Sequence, residues 1–246
     1  MRVLVAAVVL LLCAPGAGAE EQASWMREAH NDLGNRASLQ RGAKYFVNYC
    51  LGCHSARYVR YSRVGTDLGI DSHQLTTDLM FTADKPQQTM DIAMPSADAK
   101  RWFGRTPPDA SLLARSLGPD RIYNYLTSFY IDDSRPWGVN NLVLPNAVMP
   151  NVLWELQGAQ RAVFREEKDA AGHTHQVFER FETATPGSVS PEQYDQVVRD
   201  IVNFLAYIGE PVQLERRSLG LRVLAFLGLL FVLAYALKKE FWKDVH

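Results

Sequence analysis

Cysteine is scarce in this chain, with only Cys13, Cys50 and Cys53 among 246 residues. So few exclude a disulfide-stapled scaffold and a four-cysteine zinc site. No internal repeat is present. A surplus of positive charge is also missing: 26 Lys and Arg stand against 27 Asp and Glu, for a net charge of −1. A chain without a basic excess is not built to hold nucleic acid. Histidine clusters are lacking too. His30, His73, His173, His175 and His246 are scattered through polar sequence, and none matches the spacing of a zinc finger.

Long apolar runs are few, and they place the ends of the chain. Residues 1–19 read as a secretory leader: Arg2, then an apolar run over residues 3–12, then the small-residue site Ala17-Gly18-Ala19. Ten apolar residues are too short to span a bilayer. Leu12 before Cys13 argues against a lipoprotein signal, so Cys13 leaves with the leader and no disulfide remains. Residues 218–237 form the second run, about 20 residues and long enough to span. Arg222 lies near its edge and can snorkel. Flanking charge does not orient the span, because Arg216, Arg217 and Arg222 precede its uncharged part, residues 223–237, while Lys238, Lys239 and Lys243 follow. The leader does orient it. Residues 20–215 are expected on the periplasmic side of a bacterial inner membrane, and residues 238–246 in the cytoplasm.

Between leader and anchor the near-neutral total hides an asymmetry. Residues 20–215 carry 19 basic and 25 acidic side chains, while the segment beyond is net positive. An acidic exported domain suits a basic soluble partner, since opposite fields speed encounter. Glu166, Glu167, Asp169, Glu179 and Glu182 are the candidate acidic stretch.

The two cysteines that remain define the chemistry. Cys50-Leu51-Gly52-Cys53-His54 is the C-x-x-C-H pattern of a c-type haem attachment site. Each thiol adds to one porphyrin vinyl group, and the following histidine lies under the ring, where it can ligate iron. A redox dithiol would not need the histidine, and a zinc site would need a second ligand pair.

A helix is expected over residues 39–49, with Gly42, Phe46 and Cys50 on one face. A second begins at Pro191, with Tyr194, Val197, Val198, Ile201, Val202, Leu205 and Ile208 on one stripe, and is stopped by Gly209 and Pro211. A glycine on the first helix lets the second cross closely. This arrangement resembles the class I cytochrome c fold: a mostly α haem domain, here with insertions and one C-terminal transmembrane helix. A third helix is expected over residues 119–130. Residues 131–150 read as loop, and residues 155–182 as a hairpin or an excursion from the core.

The sixth iron ligand separates an electron carrier from a gas-binding haem, because a methionine sulfur closes the site and raises the potential. Met26, Met80, Met90, Met94 and Met149 follow the leader. Met94 and Met149 both precede proline, which holds the adjoining chain extended. Spacing alone favours Met94.

Further motifs point to a particular family. CLGCHSARYVR over residues 50–60, Pro107-Pro108-Asp109 leading to Arg115, Ser128-Phe129-Tyr130, Asn146-Ala147-Val148-Met149-Pro150 and the single anchor resemble cytochrome c1. That family is the haem subunit of the ubiquinol–cytochrome c oxidoreductase. The resemblance implies one covalent haem c, Met149 rather than Met94 as the axial ligand, and Pro107 and Pro108 against the haem edge. It implies a non-catalytic redox subunit that takes electrons from a Rieske iron–sulfur protein and passes them to a soluble c-type cytochrome. Cytochrome b would be a further partner, in a dimeric complex. Family members carry an arginine where this chain has Leu117, and it neutralises a haem propionate; the resemblance leaves open whether Arg115 or Arg121 substitutes or the propionate is more exposed. The competing readings are a haem subunit of another respiratory enzyme and a haem-based sensor with an open iron site.

Overall fold

The computed structural model describes residues 25–168 and 172–244. The expected leader and His246 lie outside the described residues. Helix α1 (Arg36–Tyr45) begins where the Asn35 side chain accepts the Ser38 N–H at 3.1 Å, and it widens into a π-helical turn, Phe46–Cys50. Together these cover the helix expected over residues 39–49. Strand β1 (Ala56–Arg60) and helix α2 (Tyr61–Leu68) follow, and β1 pairs antiparallel with β2 (Thr89–Met90). Three helices come next: α3 (Ser96–Phe103), α4 (Leu113–Leu117) and α5 (Pro119–Thr127). Pro119 opens α5 where a missing N–H costs nothing.

The structure corrects the reading of residues 128–150. Helix α5 stops at Thr127, and Phe129–Ile131 is strand β3. It pairs antiparallel with β4 (Val139–Asn141), with Phe129 opposite Asn141. The segment read as loop therefore contains a strand. Asn140 and Asn141 are poor strand formers, but here they are buried and their side chains bind neighbouring backbone. A short helix α6 (Trp154–Gln157) leads into the hairpin of β5 (Gly158–Lys168) and β6 (Thr174–Pro186), registered from Gly158↔Pro186 to Lys168↔Thr174. The hairpin option for residues 155–182 is the one observed.

Helix α7 (Pro191–Gly209) starts at a capping box between Ser190 and Gln193. It crosses α1 at close range. A Cβ on Gly42 would overlap the Asp200 carbonyl and come within 2.8 Å of the Phe204 side chain. Phe46 fills the angle, its ring 5.5 Å from that of Phe204. The crossing is also polar: the Asp200 carboxylate is 1% exposed and accepts from Ser38 Oγ at 2.6 Å and from Arg41 Nε and Nη2 at 2.6 and 2.9 Å. A buried carboxylate is tolerable only when paired in this way. Phe46, Tyr123, Val198, Ile201 and Phe204 lie wholly inside, each contributing about 1.5–3 kcal/mol by burial.

Helix α8 (Gln213–Phe241) contains the apolar run of residues 218–237. Its 29 residues extend about 43 Å at the α-helical rise. None of them is buried, so no described residue covers its apolar surface.

Candidate haem site

The chemistry-bearing residues converge from three segments. After the π-helical turn, the backbone N–H groups of Cys53 and His54 both donate to the Cys50 carbonyl, at 3.0 and 2.8 Å. This tight turn sets both sulfurs and the imidazole at the end of α1. Burial pushes the Cys50 thiol up to about 12 and raises that of Cys53. Both are therefore protonated at neutral pH. A working redox dithiol needs a low-pKa thiolate, so that reading loses support.

Pro107 and Pro108 arrive across the cavity from the α3–α4 connection. Neither carries an N–H, so no unpaired donor faces an apolar ligand. His54 Nδ1 lies 2.8 Å from the Pro108 carbonyl oxygen. A carbonyl only accepts, so Nδ1 carries the proton and Nε2 keeps its lone pair for a metal. Burial pushes the imidazole pKa down, against smaller upward pulls from Pro108 and Asp109, which favours the neutral, ligating form. Asp109 holds the proline segment in place. Its carboxylate accepts from Ser55 Oγ at 2.7 Å, Arg57 N at 3.0 Å and Ser111 N at 2.8 Å. Partial burial pushes the Asp109 pKa up, but these hydrogen bonds outweigh it and hold the carboxyl below its ordinary value.

Met149 is carried by the loop after β4. Asn141 Oδ1 accepts the N–H groups of Val143 and Leu144 at 2.9 and 3.1 Å, and its Nδ2 donates to the Tyr125 carbonyl at 2.8 Å. Asn140 Oδ1 accepts from Asn146 N at 2.7 Å. Asn146 itself adopts φ 64°, a left-handed conformation that asparagine tolerates better than most residues. The loop is thereby turned back toward α5.

These segments enclose a cavity of about 360 Å³ lined by Cys50, Cys53, His54, Pro107, Pro108 and Met149. Phe46, Ile122, Leu126, Ile201 and Leu205 supply apolar wall, with Leu117, Tyr125 and Val148 beside them. Met94 does not line it; Met80 and Met90 are core residues. Arg115 is not brought to the cavity either. It pairs with Glu210 at 3.5 Å, while Arg105 and Arg121 line the wall. Arg105 had no motif to reveal it.

The acidic stretch on the hairpin is largely compensated. Arg165 pairs with Glu167 at 3.3 Å, and Arg180 pairs with Glu179 at 3.0 Å and Glu182 at 2.5 Å. Asp169 lies outside the described residues.

The residues present fit a haem. The cavity is apolar and of cofactor size, two neutral thiols stand beside a histidine with a free Nε2, and no carboxylate among the described residues lines it. Fold and site together define a class I c-type cytochrome domain carried on a helix long and apolar enough to be its membrane anchor.

The chain belongs to the cytochrome c1 family, which it matches over residues 25–245. It is 50% identical to cytochrome c1 of Allochromatium vinosum over 246 residues, the whole of both chains. It is 40% identical to a Nitrosomonas europaea protein bearing the name ammonia monooxygenase gamma subunit, again over the whole of both. Cytochrome c1 of Rhodospirillum rubrum is 28% identical over 99% of this chain and 97% of its own. Members carry one covalently bound haem c and are electron-transfer haem subunits of the bc1 complex of the respiratory chain.

Proposed function

We propose that this chain takes single electrons from a Rieske iron–sulfur protein and delivers them to a soluble c-type cytochrome, as the exit subunit of a dimeric ubiquinol–cytochrome c reductase that also contains cytochrome b. The observation that carries the reading is that His54 and Met149, 95 positions apart in the chain, line one apolar cavity. Cys50 and Cys53 would hold the haem through thioether bonds, their S–H groups adding across its two vinyl double bonds with no oxidant needed. His54, through Nε2, and Met149, through its thioether sulfur, would hold the iron. Bound there, the haem supplies a one-electron ferric–ferrous couple.

The protein's part is to hold and to exclude. Pro108 fixes the His54 tautomer, the Asn140-Asn141 loop holds Met149, and the apolar wall keeps water from the iron. Residues 1–19 act as the leader, residues 20–215 form the periplasmic haem domain, residues 218–237 span the inner membrane and residues 238–246 end in the cytoplasm.

Composition of the native complex tests this. Cytochrome b and a Rieske protein are expected to co-purify stoichiometrically with the chain from detergent-solubilised membranes. The Nitrosomonas europaea relative bears the name of a subunit of a different enzyme, so recovery with a monooxygenase instead would overturn the reading.

A further inference from the structure

The cavity wall carries two cationic side chains, Arg105 and Arg121. Their commitments differ. Arg121 lies in the first turn of α5 and already interacts within the chain. Arg105 follows Gly104, whose φ of 72° ends α3 and is a backbone conformation that a side-chain-bearing residue rarely adopts. That turn brings Arg105 to the cavity two residues before Pro107. No hydrogen bond or ion pair joins its guanidinium to a described residue. Its charge is nevertheless felt at the cavity wall. Burial raises the Tyr125 phenol to about 12, and Arg105 opposes that rise. Leu117 lines the wall with apolar surface, and Arg115 is turned away to Glu210.

A haem c carries two carboxylates on the edge remote from its vinyl groups. Setting an anion against an apolar wall is costly unless a cation meets it. A guanidinium offers a planar fork that matches a carboxylate in two parallel hydrogen bonds. We propose that Arg105 anchors a haem propionate in this chain and sets the reduction potential of the haem. The proposal rests on the haem reading of the cavity given above. The direction follows from charge. Ferric haem carries one more positive charge than ferrous haem, so a neighbouring cation disfavours the ferric state, and Arg105 raises the potential.

The test is a redox titration of the full-length membrane-bound protein, with covalent haem counted by its alkaline pyridine spectrum. Arg105→Gln is expected to keep its haem and to shift the ferrous–ferric equilibrium about three- to tenfold toward ferric, tenfold being about 59 mV for one electron. Arg105→Lys should recover most of that shift, and Arg105→Glu should exceed it. Arg101→Gln is the control, because Arg101 pairs with Asp98 at 2.8 Å and does not line the cavity; it should leave the potential unchanged. Unchanged potentials in both the Gln and Glu variants would overturn the proposal. So would a shift confined to Arg121→Gln, or equal loss of haem from the Gln and Lys variants, which would assign Arg105 a role of shape rather than charge. Failure of the underlying site reading looks different: wild-type protein without thioether-bound haem, which would remove the Arg105 proposal with it.

Discussion

The Asn140 side-chain oxygen accepts the backbone N–H of Asn146 at 2.7 Å, and this bond closes the turn that brings Met149 to the cavity of His54. The same oxygen accepts from Asn141 N at 2.9 Å, while Asn140 Nδ2 donates to Asp132 at 2.9 Å. Asn140→Ala removes all three bonds from a nearly buried position. The expected cost is about 1–3 kcal/mol for the groups left unpaired. Its signature is local: the red absorption band of a methionine–ferric haem bond weakens, and the reduced protein begins to bind carbon monoxide. A variant with an intact band and no carbon monoxide binding would show that the loop is held by something else.

Asp109 links the histidine side of the cavity to pH. Hydrogen bonds from Ser111, Arg57 and Ser55 outweigh the upward push of burial and hold its carboxyl below its ordinary value. A depressed folded pKa contributes stability that is fully present above the unfolded value, about 3.9, and is lost as pH falls through the folded value. Acid unfolding of the wild type should therefore include a component below pH of about 4 that Asp109→Asn lacks. The variant should also free the Pro108 carbonyl to drift from His54, broadening the His54 resonances. Identical acid-unfolding curves for the two proteins would refute this.

Gly42 tests the helix crossing. In an isolated helix, Gly→Ala gains about 1 kcal/mol of propensity. Here the new methyl meets the Asp200 backbone carbonyl and the Phe204 side chain, and a backbone carbonyl inside a helix cannot step aside. Overpacking of this kind costs about 1–3 kcal/mol or more, so the clash wins. Gly42→Ala should lower the thermal midpoint, and Gly42→Val should lower it further. A raised midpoint for Gly42→Ala would mean that α1 and α7 do not cross in contact.

What is legible in the sequence is what local chemistry dictates. Cys50, Cys53 and His54 must be adjacent, because one haem edge fixes their spacing. Gly42, Phe46 and the stripe from Tyr194 to Ile208 betray two helices by period. The long apolar helix α8 is compositional. The far side of the cavity is less legible because it depends on tertiary approach. Asn140 and Asn141 look like turn formers until burial gives their side chains backbone to bind. Arg105 has no motif, and Arg115, placed at the haem by analogy of position, is claimed by Glu210. Met149 illustrates both conditions. Spacing favours Met94, and only the order of motifs along the whole chain points beyond it.

That choice between methionines is open to a direct comparison. Met149 lines the cavity with His54 and Met94 does not, so the two substitutions should separate cleanly. Met149→Ala removes the thioether and opens the sixth position. The red methionine band should vanish, the reduced haem should bind carbon monoxide rapidly, and the potential should fall because thioether ligation favours ferrous iron. Covalent haem should be retained, since Cys50 and Cys53 are untouched. Met94→Ala should keep the band, the potential and the indifference to carbon monoxide, with at most a small loss of stability from a half-buried side chain. Loss of the band in Met94→Ala with its retention in Met149→Ala would reverse the assignment. Loss in neither would mean that a ligand other than methionine closes the iron. The potential discriminates independently of the band: replacing the axial ligand changes the charge donated to iron, whereas loosening the loop around it leaves a mixture of ligated and open forms. Met149→Ala should therefore titrate as one low-potential species, and Asn140→Ala as two.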